Sequence, residues 1–147
     1  GYWYRLLNTA SGASFALYPN YSPYIQPFGR FYNNSVHNSG RFGVWIYPQY
    51  SPTINGNPSP PQAVFDGIVS WKNSKGFEWV KSNAIQIRNA LAFDNNYAGI
   101  SCITAFDYQN RWISSILGNG SSVVDSVIIG DTGVSSNPII PSIAGLV

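Results

Sequence analysis

Methionine is missing from this 147-residue chain, and cysteine and histidine occur once each, as Cys102 and His37. A single cysteine excludes an internal disulfide, and no CxxC pair or HExxH run offers a zinc site. A histidine-based triad would have to be built on His37, and no partner pattern accompanies it. Charge is scarce as well. Charged residues make up 10% of the sequence, against a usual share of about 25%. The net charge of +2 comes from eight scattered Lys and Arg, without the basic run that a nucleic-acid surface needs. No apolar stretch reaches the roughly 18 residues of a membrane span. No signal peptide and no glycine-rich phosphate loop occur. With Gly1 in front and no methionine, the sequence reads as a mature segment or a piece of a longer chain.

What the chain does have is aromatic residues, 16% of the total, and a repeat. Between Ala63 and Ile103 one pattern is written twice, displaced by 22 residues. Phe65 falls on Ile87, Val69 on Leu91, Trp71 on Phe93, Asn73 on Asn95 and Phe77 on Gly99. Within each copy the apolar residues alternate, which is the spacing of strands with one face buried. Strand repeats of 20 to 50 residues point to a solenoid whose turns pair with their neighbours. Two similar strands of an ordinary sandwich are the alternative. On the solenoid reading, Phe65, Ile87 and a residue near Val124 form one interior column, with Trp71 and Phe93 in another. Asn73 and Asn95 stack at equivalent bends and hydrogen-bond along the stack.

The pattern extends both ways. Phe31 to Ile46 matches the later copies at a displacement of 34, with Phe31 on Phe65, His37 on Trp71 and Trp45 on Trp79. The Pro-rich run 47–62 supplies the extra chain as a surface loop. Val124 to Ile129 matches Ile87 to Ala92 at a displacement of 37, with the excess in an excursion over 104–120. Residues 1–29 read as a strand at Tyr2–Leu7 and then a Tyr- and Pro-rich wrap. Prolines 19, 23 and 27 exclude a helix there, and the tyrosines pack on the flank. Residues 131–147 read as a final strand or cap. The whole is one domain, with rungs over 30–130.

A resemblance is carried by particular residues. Asn33, Asn34, Val36 and His37 form an NN-x-VH motif. Gly40, Gly43, Val44, Trp45 and Ile46 form G-x-x-G-[LV]-W-[IV], and Gly76, Glu78, Trp79 and Val80 form G-x-E-W-V. The opening GYWYRL and the late SVVDSVIIGD fit the same pattern. The chain resembles the parallel β-helix region of the fibrocystin and fibrocystin-like family. Related repeats occur in cell-surface hyaluronidases of the transmembrane-protein-2 and cell-migration-inducing type. The fold expectation is therefore all-β, a right-handed parallel β-helix of about 22-residue rungs with long loop insertions. The resemblance implies an extracellular or cell-surface setting.

Chemistry is sparse. Glycoside hydrolysis needs two carboxylates on one site, but Asp66 aligns with Arg88, which reads as a surface ion pair. Asp94-Asn95-Asn96 holds one carboxylate where calcium wants several. No catalytic residue, metal or cofactor is expected. Tyr108, Arg111 and Trp112 in the 104–120 excursion are the candidate ligand-binding residues, two ring faces and a five-donor cation suited to sugar. Asn33, Asn119 and Asn20 head N-x-S sequons and are the glycosylation candidates, Asn20 last because Pro23 follows its serine. The functional expectation is a non-catalytic structural or adhesive module of a large extracellular glycoprotein. A carbohydrate-active enzyme and a filament subunit are the alternatives. Carbohydrate or other extracellular proteins are the expected partners, with head-to-tail self-association as a further one. Contact with membrane or nucleic acid is not expected.

Overall fold

The computed structural model describes residues 1–52, 62–82, 85–105 and 121–133. Twelve strands occur among them: β1 (Tyr2–Leu6), β2 (Phe31–Tyr32), β3 (Ser35–His37), β4 (Phe42–Pro48), β5 (Ala63–Asp66), β6 (Val69–Trp71), β7 (Lys75–Ser82), β8 (Ile85–Arg88), β9 (Leu91–Phe93), β10 (Ala98–Ala105), β11 (Ser122–Val124) and β12 (Val127–Ile129). They form three four-stranded sheets, each taking every third strand: β1-β4-β7-β10, β2-β5-β8-β11 and β3-β6-β9-β12. Every pairing between these strands is parallel. The chain is all-β, and the 22-residue displacement is literal: Phe65 pairs with Ile87, Val69 with Leu91 and Trp71 with Phe93.

Two-residue bends join the second sheet to the third. Each opens on a left-handed residue: Asn33 (φ 56°), Gly67 (68°), Asn89 (50°) and Asp125 (47°). Asn, Asp and Gly tolerate this region best, which accounts for the polar punctuation in the sequence. The inter-rung ladder runs on through these bends, with Asn33 N–H donating to Asp66 O and Gly67 N–H to Arg88 O, both at 2.9 Å. A second left-handed column, Asn38, Lys72 and Asp94, follows the third sheet.

The bends also invert the inside–outside phase. Phe65 points in, and after Gly67 the buried residues are Ile68 and Ser70. Trp71 and Phe93 consequently form a column on the outer face, not the interior one expected from simple alternation. Their rings stack at 5.9 Å and 2°, and His37 stacks on Trp71 at 4.3 Å. The interior column of the third sheet is Val36, Ser70, Ala92 and Ile128.

Three displacements differ from expectation by one residue. Trp45 pairs with Glu78, so Ile46 is the partner of Trp79, and Phe77 pairs with Ile100 and not Gly99. The bend between β6 and β7 is one residue shorter than its counterparts after β3 and β9. Val123, not Val124, lies on Ile87.

The core is aromatic at its N-terminal end. Phe65, fully buried, is met by Phe28 at 4.6 Å, Phe77 at 4.9 Å, Phe31 at 5.0 Å and Tyr4 at 5.8 Å. Phe28 comes from the segment between β1 and β2, which also holds α1 (Ala13–Leu17) and a 3-10 turn at Pro23–Ile25. That turn corrects the exclusion of helix from this run. Proline at a helical start loses no hydrogen bond, because the first N–H groups are unpaired anyway. Tyr18 and Tyr21 face solvent, and Phe28 does the packing expected of them.

Candidate functional site

Asparagine builds the corner between the third and first sheets. Asn73 and Asn95 are buried, and Asn73 donates from both its backbone N–H and its Nδ2 to Asn95 Oδ1, each at 3.1 Å. Asn95 Nδ2 donates to Ser70 O at 3.0 Å, and Asn73 Oδ1 accepts from Ser39 N–H at 3.0 Å. Glycine lines the same corner. A Cβ on Gly76 would overlap the Gly99 carbonyl oxygen and lie 2.9 Å from Asn95 Nδ2, and one on Gly43 would overlap the Gly76 carbonyl. At these two glycines of the sequence motifs the paired strands approach too closely for a side chain, beside the asparagines.

Among the described residues, Asp66, Glu78 and Asp94 are engaged by groups from other strands or from the segment after β12. Asp66 accepts from Arg88 Nη2 at 2.6 Å and Asn89 Nδ2 at 2.8 Å, so the expected surface ion pair is formed. These bonds hold the Asp66 carboxyl below the usual carboxylate range. A lowered folded value stabilises the protein above the unfolded pKa near 3.9 and is lost as pH falls through the folded value. Asp66→Asn should lower the urea midpoint slightly at pH 7 and remove that same small increment from its fall below about pH 4. An unchanged acid limb in that variant would remove Asp66 from the account.

Glu78 sits at 4% exposure and is met by Lys75 Nζ, Trp45 Nε1 at 3.1 Å and Ser101 Oγ at 3.3 Å. Buried carboxylates survive only when paired in this way. Nothing in the sequence marked this cluster, because Ser101 and Trp45 lie 23 and 33 residues from Glu78. Asp94 accepts from Thr132 N–H at 2.7 Å and from its Oγ1. Among the described residues no group of three His, Cys, Asp or Glu could hold a metal ion. Burial pushes the half-buried Cys102 thiol up, an effect the neighbouring Trp79 indole partly opposes.

The outer face of the first sheet carries a run of rings. Trp45 stacks on Phe42 at 4.6 Å, on Tyr47 at 4.6 Å and on Trp3 at 5.5 Å. The sequence-derived ligand residues Tyr108, Arg111 and Trp112 lie outside the described residues, as does Asn119. Asn33 and Asn20 are both exposed.

No family model and no solved structure matches the chain. Curated proteins do. Mouse fibrocystin-L is 35% identical over 134 residues, 88% of this chain and 3% of that protein. Human fibrocystin-L is 34% identical over the same span. The chain belongs to the fibrocystin-like family. A more distant relative is human cell surface hyaluronidase CEMIP2, 26% identical over 156 positions that cover 90% of the fibrocystin-like chain and 11% of the enzyme. The fibrocystin-like chain thus spans a small part of each relative. Among its described residues no helix is long and apolar enough to cross a membrane.

Proposed function

We propose that the three sheets are the faces of a right-handed parallel β-helix, and that the chain is a non-catalytic structural or adhesive module of a large cell-surface or secreted protein. The use of every third strand by each sheet supports the solenoid, and crossovers between parallel strands of one sheet are right-handed in about 98% of cases. The low charge of the sequence and the name of the cell surface hyaluronidase among its relatives support the extracellular setting.

The observation that carries the non-catalytic reading is the use made of the carboxylates. Asp66, Glu78 and Asp94 are each bonded to a group from another rung. A glycosidase needs a free pair, one to protonate the leaving oxygen and one to attack or activate water. The similarity to a hyaluronidase supplies the rival reading. Incubation of the chain with hyaluronan and with pectin, scored by product size, should leave both polymers unshortened. Shortening that follows the purified protein would establish the rival.

A further inference from the structure

On β1, Tyr4 and Leu6 pack on the core, so Trp3 and Arg5 project from the opposite face. Trp3 pairs with Trp45, which pairs with Glu78, and the indole N–H of Trp45 is bonded to that carboxylate. Trp45 also lies near-parallel to Phe42 (15° between planes, 4.6 Å) and Tyr47 (24°, 4.6 Å). The support beneath Trp3 is therefore fixed by rings and by a charge-assisted hydrogen bond. Trp3 itself lies on Trp45 at 24° and is 58% exposed. It stands in the edge strand of its sheet, so among the described strands none brings a ring to its other face. Arg5 is exposed, stands opposite Tyr47, and forms no ion pair among the described residues. Tyr47 is 39% exposed.

We propose that Trp3, Arg5 and Tyr47 form a binding site for a pyranose ring of a glycan. The site deepens the adhesive reading and rests on it. A pyranose has an apolar face of C–H bonds and a rim of hydroxyls. The indole covers the face, while the guanidinium, with five donors, and the phenol meet the rim. A purely apolar partner would strand those donors, at a cost comparable to lost hydrogen bonds. One stacked ring and a few hydrogen bonds give a Kd of about 0.1 to 1 mM.

The test follows the five indole N–H signals of the 15N-labelled chain during titration with a neutral chito-oligosaccharide and with an oligogalacturonate. The Trp3 signal should shift saturably. Trp3→Ala should weaken binding at least tenfold with an unchanged melting temperature, because the side chain is mostly exposed. Arg5→Gln should weaken the uronate more than the neutral sugar. Absence of a saturable Trp3 shift with either sugar up to about 10 mM, in a chain whose spectrum is folded, overturns the site. So does equal binding by Trp3→Ala. Either result, with hyaluronan left unshortened, removes the sugar site and leaves the non-catalytic reading standing. Shortened hyaluronan with the Trp3 shift intact does the reverse.

Discussion

A chain carrying Ile87→Asp should show no cooperative unfolding transition at neutral pH. Ile87 is fully buried, in register with Phe65 on one side and Val123 on the other. Loss of a buried aliphatic side chain costs about 2–5 kcal/mol. A buried carboxylate without a partner adds several more. Domain stabilities of about 5–15 kcal/mol leave little after both. Circular dichroism during urea titration reads the outcome. Leu91→Asp tests the other side of the argument. Leu91 begins the next strand, is 37% exposed and lies on the outer face. Its transition should stay within about 1 kcal/mol of the parent. A normal transition for Ile87→Asp would mean that the Phe65 column is not the core.

Gly76→Ala should cost about 1–3 kcal/mol although it adds a single methyl group. The new Cβ meets the Gly99 carbonyl of the neighbouring rung, and a backbone atom inside a ladder cannot swing aside as a side chain can. Relief requires the rungs to part at the corner where Asn73 and Asn95 share their hydrogen bonds. Gly40→Ala is the matched control. Nothing lies within 4 Å of its added Cβ and its φ is not positive, so it should be neutral or stabilise by a few tenths of a kcal/mol through the unfolded chain. Equal effects at the two positions, measured by thermal melting, would refute the packing argument. The two glycines of the G-x-x-G motif thus differ in kind, because Gly43 is packed like Gly76 while Gly40 is open.

Legibility in the sequence followed the constancy of the bends. Phe65 on Ile87 and Trp71 on Phe93 could be read because no residue is gained or lost between those rungs along the second and third sheets. One residue fewer between β6 and β7 moved Trp45 from Trp79 to Glu78. The outward direction of Trp71 and Phe93 was hidden for another reason. Alternation assumes extended backbone, and a left-handed residue at Gly67 or Asn89 resets the phase. Family membership was legible in motifs that describe corners, such as Gly43 and Gly76. The ring stack around Trp45 was not, since it depends on which tryptophans share a face.

The connections from the first sheet to the second vary more than any other. After β7 two residues suffice to reach β8, whereas 14 separate β4 from β5 and 16 separate β10 from β11. Both bends on the other two corners stay within two to four residues. Chain length is therefore nearly constant between the second and third sheets and between the third and first, and varies at the edge between the first and second. Growth or exchange of sequence at that edge leaves the pitch of the stack untouched. Such a stack can take on new surface there without renegotiating its interior, much as a bound book can take longer pages only at the side away from its spine.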